Sequence, residues 1–472
     1  MSKNIDASLK REQRNLAVVL TLALVGIVLF LDKTTVDTNI YVFYAVQYLT
    51  MFGIGFRYID RGHYFFSPYF LAITYFSVNA TFGSWGIIQH FDIWCADVFF
   101  EGMFYTQEIN TYFLLCNLVV FLAYRPAKQE NAERAPTMIK GVTKRGVAFL
   151  FLSLAVLTLF SFVNIDLSLL GGVGDFSLIP KTIAAILLFY LAAKRKYRLR
   201  IFIYATVIGV FAVTHFNSKR EVIFLLFPIL LIESALGNID IFSKFYKKIL
   251  IIIPAILLMF GLIAAMSIAR GYGSFKVDNP IDALRHVPDY VQKDYFIEAF
   301  YNNLELSISH YNAVRAVEYI MQEPERLTLG STITKVFFIP IPRKVYPGKP
   351  KSIITLYTSL QAPSFYNNKG GSLPVNIYAE MFWNFWWFGL IALYVLSRLL
   401  NHAYTFLMEK IRSSNNANDV LFLLFGYTYL MGYFRGSGLD LYVIYLAIAY
   451  LFCVSIQFFY SVVFLTSCND NK

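Results

Sequence analysis

Two residues of this chain are placed to move a proton, and six more could hold a phosphate. Glu380, in Tyr378-Ala379-Glu380-Met381, falls near the outer end of a long apolar run. A carboxylate at that depth is costly and is by default a functional candidate; the alternative is an ion pair with an arginine. His310 is the histidine of a predicted helix over 294–322, with Asn303 on the same flank two turns earlier. An unperturbed histidine titrates near neutrality and could take a proton from a hydroxyl; the alternative is a half-buried, hydrogen-bonded side chain. Arg315 and Glu318 on that helix stand at the spacing of a surface pair. The cations are Lys219 and Arg220 in Lys219-Arg220-Glu221, Arg270, Arg343 with Lys349 close by, and Arg435 in Arg435-Gly436-Ser437-Gly438. Arg285, Arg315 and Arg326 are further candidates. A guanidinium is planar, stays charged and donates in pairs, which suits a phosphate or diphosphate. The alternative for each is an arginine snorkelling to a membrane interface.

The elements that must position these groups are apolar helices. Charged residues make up 15% of the 472 and hydrophobic ones 57%, against roughly 25% charged in a soluble domain. The apolar residues come in blocks near the length that crosses hydrocarbon, where helices satisfy their own backbone. Predicted span cores are 15–31, 40–56, 64–79, 109–123, 147–163, 181–193, 201–214, 222–234, 249–268, 375–396, 420–433 and 441–464. The first reads as an uncleaved span rather than a signal peptide. The expected fold is thus an all-α polytopic membrane protein of about twelve transmembrane helices. The linear division is 1–268, nine spans; 269–374, one large extracytoplasmic loop containing helices; and 375–472, three spans.

The net charge of +11 sits in short loops on one side of this arrangement, which is the positive-inside pattern. That excludes nucleic acid as a partner and places both termini in the cytoplasm. Cys95, Cys116, Cys453 and Cys468 show no metal spacing and no disulfide framework. The segment 269–374 is far longer than a connection, so function is expected there. Within it, Phe296, Phe300, Leu304, Ile308, Tyr311, Val314, Val317 and Met321 recur every three or four residues, predicting a helix on the membrane surface or across the tops of the spans. Pro340, Pro342, Pro347 and Pro350 make 339–350 an extended strap. No P-loop, Gly-x-Ser-x-Gly, paired metal-ligand motif or GxGxxG is present. A reaction that relies on arginines, with no metal and no cofactor, fits this inventory.

Three pieces carry a resemblance. One is Asn217-Ser218-Lys219-Arg220-Glu221 opening an apolar span. The second is the strap from Phe338 through Pro340-Ile341-Pro342-Arg343-Lys344 to Pro347-Gly348-Lys349-Pro350. The third is Gly371-Ser372-Leu373-Pro374, running through Glu380 to Asn384-Phe385 and Gly389. With its large outer loop late in the chain, the protein resembles the Wzy-type O-antigen polymerases of bacterial surface polysaccharide and lipopolysaccharide synthesis.

That resemblance implies a GT-C-like inner-membrane glycosyltransferase acting at the periplasmic face. Its partners would be undecaprenyl-diphosphate-linked glycans, the lipid bilayer and a chain-length regulator. Arg220, Arg270, Arg343 and Arg435, with Lys219 and Lys349, would bind diphosphate, and Glu380 or His310 would be the base. The rival readings are an O-antigen ligase, which takes the same donor, a lipid-linked oligosaccharide transporter or flippase, and a non-catalytic scaffold.

Overall fold

The computed structural model describes residues 2–58, 67–89, 103–124, 178–194, 200–214, 219–236, 260–269, 280–294, 296–304, 306–339, 345–369, 371–413, 418–436 and 438–469, with 253, 257, 275, 277 and 341. Every regular element among them is helical. The helices are α1 (Ser2–Phe30), α2 (Lys33–Tyr58), α3 (Pro68–Ile88), α4 (Thr106–Ala123), α5 (Leu178–Lys194), α6 (Arg200–Thr214) and α7 (Lys219–Ala235). Then follow α8 (Pro280–Arg285), α9 (Val287–Val291), α10 (Phe296–Leu304), α11 (Leu306–Gln322), α12 (Ser331–Thr334), α13 (Ile353–Gln361) and α14 (Pro363–Lys369). The last are α15 (Ile377–Phe385), α16 (Gly389–Ser413), α17 (Asn418–Arg435) and α18 (Leu439–Asn469).

Two compact units form. One holds Met1–Pro126, Val291–His402 and Met431–Asp440; the other holds Ala127–Tyr290, Ala403–Leu430 and Leu441–Lys472. They cut across the linear division at 268 and 374: most of the large loop belongs to the same unit as α1–α4. By length and composition, the run Ile377–Ser413 is the one long and apolar enough to cross a membrane among the described residues. Shorter apolar helices are Arg14–Phe30, Arg200–Phe211, Leu225–Ala235, Phe260–Ala269, Val420–Leu430 and Tyr442–Ser455. The predicted span 147–163 and, of 249–268, residues 249–252, 254–256, 258 and 259 lie outside the described residues.

The first unit corrects three expectations. The third apolar helix starts at Pro68, because Ser67 caps it: its Oγ accepts from the Phe70 N–H at 3.2 Å, and proline suits the first helical position. It then runs on to Ile88, through residues expected to be loop. Gly83, Ser84 and Gly86 break its apolar pattern, yet they form the lane on which α11 lies. A Cβ on Gly83 would stand 2.7 Å from His310 Cβ, and one on Gly86 would stand 2.5 Å from Ser307 Oγ.

The second correction concerns the loop helix. The stretch 294–322 forms two helices, α10 and α11, rather than one, and α11 is buried against α3 and α15. The third concerns the predicted span 375–396. Its helix begins at Ile377, capped by Asn376, and stops at Phe385, where Trp386 takes φ 56°. A 3-10 turn, Trp386–Phe388, leads into α16. The rings of Trp386 and Trp387 pack on Phe382, 4.9 and 6.0 Å between centroids, so aromatic packing offsets the strained backbone.

Helix α4 is tied at both ends. Arg14 Nη2 and Arg398 Nη1 donate to the Tyr124 and Ala123 carbonyls at 2.6 and 3.1 Å, and cations suit a helix C-terminus. In the second unit Tyr204 donates to Glu233 Oε1 at 2.6 Å, with Arg200 3.4 Å from the same oxygen. Arg412 Nε donates to the Ala235 carbonyl at 2.9 Å.

Candidate functional site

Glu380 sits in the first turn of α15, where the helix dipole favours a carboxylate. The helix is anchored by Asn376, whose Oδ1 accepts from the Ala379 N–H at 3.0 Å. The Glu380 side chain is 1% exposed. Thr332, on the short loop helix α12, donates to Glu380 Oε1 at 3.0 Å. Asn384, one turn on from Glu380, donates to Thr332 Oγ1 at 2.8 Å and accepts from Thr328 Oγ1 at 2.8 Å. The left-handed pair Leu329 and Gly330, φ 49° and 86°, turns the chain between Thr328 and Thr332. The loop therefore fixes one oxygen of a carboxylate belonging to an apolar helix.

Arg435 ends α17 and belongs to the same unit. Gly436, beside it, takes φ 107°, and a Cβ there would collide with the Val375 carbonyl. Only a glycine lets the Arg435-Gly436 turn lie on the backbone just ahead of α15. Glu380 is five residues beyond Val375.

His310 is 4% exposed. Ser84 Oγ is 3.0 Å from His310 Nε2, and the same hydroxyl donates to the Ala80 carbonyl. The single hydroxyl hydrogen is thus committed, so Nε2 carries the proton and donates to Ser84. Burial pulls the imidazole down to about 3. Below the ordinary value of about 6.5 an unfolded chain takes up a proton that the folded site refuses, so stability falls as pH drops from about 6.5 towards 3. His310→Asn should melt lower at pH 8 but lose up to about 1.4 kcal/mol per pH unit of that dependence. Melting curves of both proteins between pH 8 and 4 check this; parallel slopes would assign the dependence to other groups.

Glu318, expected at a surface, is 1% exposed. Its Oε1 accepts from the Phe104 N–H at 3.0 Å and Gln322 Nε2 at 2.9 Å, and its Oε2 accepts from the Tyr105 N–H at 3.3 Å. These donors precede the first turn of α4, so a loop carboxylate holds the end of α4 opposite Arg14 and Arg398. Sequence reasoning missed this because backbone donors leave no mark in residue type.

A buried chain runs behind Glu380. Tyr378 donates to Asn117 Oδ1 at 3.0 Å, Asn117 donates to Gln47 Oε1 at 2.9 Å, and Gln47 donates to Thr21 Oγ1 at 3.2 Å. It joins α15 to α4, α2 and α1 and fixes the rotation of the helix that carries Glu380.

The other predicted residues divide between the units. Lys349 belongs with Glu380, His310 and Arg435 in the first. Its Nζ donates to the Ile339 and Ile341 carbonyls at 3.1 and 3.3 Å, closing the strap on itself. Arg343 lies outside the described residues. Lys219 and Arg220 open α7 in the second unit, their side chains outside the described part, and Arg270 is outside the described residues. Of the further arginines, Arg285 pairs with Asp282 at 3.3 Å, and Arg326 pairs with Glu323. Thr332, Asn384 and Glu318 were not anticipated as site residues; the spacing of Glu380 and Asn384, one helical turn, was the available signal for Asn384. No protein-family model, curated protein or solved structure matches the chain.

Proposed function

We propose that this protein is a polytopic inner-membrane glycosyltransferase of about twelve spans that polymerises undecaprenyl-diphosphate-linked repeat units at the periplasmic face. The observation that carries the reading is the seat of the Arg435-Gly436 turn on the Val375 backbone, five residues ahead of Glu380. A buried carboxylate and a helix-end cation belong to one compact unit, with the Gly436 backbone seated on Val375. The orientation of α4 supports the sidedness. The large loop reaches its N-terminal end through Glu318, while Arg14 and Arg398, from the basic segments expected in the cytoplasm, reach its other end.

In this reaction a hydroxyl oxygen of the incoming unit attacks the anomeric carbon of the growing chain. The new C–O bond forms as the bond from that carbon to the diphosphate breaks. The electron pair leaves with undecaprenyl diphosphate, and Arg435 with Arg343 meets the growing charge. Glu380 takes the hydroxyl proton. Between the two predicted bases, Glu380 is favoured: His310 holds Ser84 through Nε2 and resists protonation. A single displacement inverts the anomeric configuration, and linkage analysis showing retention would rule that out.

Purified protein given lipid-linked repeat units should build a ladder of polymers. The Arg435→Ala and Arg343→Ala variants should slow it by roughly 10²-fold, the scale of losing one preorganised charge partner. Full activity in both folded variants would sink the proposed diphosphate role. A folded wild type that makes no ladder would overturn the polymerase reading, and consumption of lipid A core as acceptor would replace it with the ligase.

A further inference from the structure

One face of α11 carries polar hydrogens with nothing to receive them. Asn312 is 1% exposed. Its Oδ1 accepts from the Tyr357 hydroxyl at 3.1 Å, while its Nδ2 is buried with no acceptor. One turn on, Arg315 Nε is buried with no acceptor either. Residues three apart share a helix face. Tyr357, on α13, is fully buried, and burial holds its proton well above 10, with the Arg315 charge opposing part of that rise.

The carboxylates nearby in sequence are engaged elsewhere. Glu318 has both oxygens on the Phe104 and Tyr105 N–H groups and Gln322, and Glu323 pairs with Arg326. The Tyr357 and Tyr319 rings stand 6.5 and 5.3 Å from that of Trp383 between centroids, giving the cluster an aromatic wall. What results is a cationic place rich in donors, in surroundings of low dielectric. A buried donor left unmade costs about 1–3 kcal/mol, and two lie about one helical turn apart here. A group bringing lone pairs and negative charge would satisfy both. Arg315 is partly exposed, which leaves it reachable.

We propose that Asn312 and Arg315 form an oxyanion-binding subsite on α11, walled by Tyr357 and Trp383, for a phosphate, diphosphate or carboxylate group. Its natural source is the diphosphate of the lipid carrier or an acidic sugar of the repeat unit. That assignment of source rests on the glycosyl-transfer reading; the binding of an anion does not.

The test titrates the purified full-length protein with pyrophosphate and, separately, with glucuronate, each against chloride at equal ionic strength. At least one anion should raise the melting temperature, and its dissociation constant should weaken by roughly tenfold or more in Arg315→Met. Pyrophosphate alone acting would identify the carrier as source; glucuronate alone would identify the sugar. Asn312→Asp keeps the acceptor for Tyr357 and sets a carboxylate beside Arg315. It should melt higher than wild type and no longer respond to the anion, which tests the subsite even if Arg315→Met does not fold. No response from wild type to either anion, or an equal response in all folded variants, would overturn the proposal and leave a bridging water as the partner of the two donors. The polymer ladder, run on the same preparations, separates the two ideas. A ladder without anion binding removes the subsite alone, and anion binding without a ladder removes the transferase alone.

Discussion

On the proposed glycosyl transfer, Glu380→Gln should fold like the wild type and polymerise at least roughly 10²-fold more slowly, the usual scale for losing a positioned base. The amide keeps an oxygen for the Thr332 hydroxyl, so the bond at 3.0 Å survives the change. What disappears is the capacity to accept a proton. The comparison that matters is Thr332→Val, which leaves the carboxylate but removes its fixed partner. That variant should lose less activity than the amide, and its defect should lie mainly in kcat because Thr332 holds the proposed base. Ladder formation followed over time in both variants checks the ranking. An amide variant as fast as wild type would remove Glu380 from the chemistry.

Gly83→Leu should be the most damaging single change to stability among those considered. Even the first atom of a new side chain meets His310 Cβ at 2.7 Å and the Leu306 carbonyl at 2.8 Å. The latter is backbone, so α11 must move away from α3 as a body. Overpacking typically costs about 1–3 kcal/mol, and here the loss of the buried His310–Ser84 bond adds about 1 kcal/mol more. Gly26→Leu is the control, since nothing stands within 4 Å of a Cβ there. Melting in detergent should show a clear fall for the first variant and almost none for the second. Equal melting of both would mean that α11 does not need the glycine lane.

Much of the helical skeleton was legible in the sequence, because block length and apolar content report directly on helices that must be buried or lie in lipid. That Glu380 belongs to an apolar helix was legible for the same reason. Less so was the company each polar residue keeps. Gly83 and Gly86 look like a gap in an apolar pattern until α11 lies on them. Glu318 looked like half of a surface pair with Arg315, yet its partners are amides some 214 and 213 positions away. The break at Trp386 was invisible too, since an aromatic run reads as an uninterrupted span until one of its members takes a positive φ.

The chain from Tyr378 through Asn117 and Gln47 to Thr21 also bears on how the protein is made. Asn117 and Tyr378 lie 261 residues apart. At about 5–20 residues per second, the tyrosine leaves the ribosome roughly 13–50 s after its partner. For that interval the nascent α1, α2 and α4 carry an amide oxygen whose eventual donor does not yet exist, while Ala127–Tyr290 of the second unit is still being synthesised. The early helices are then an assembly intermediate open on the side that α15 and the loop will close. A chain truncated before Ile377 should persist in that open form and be degraded faster than the full-length protein.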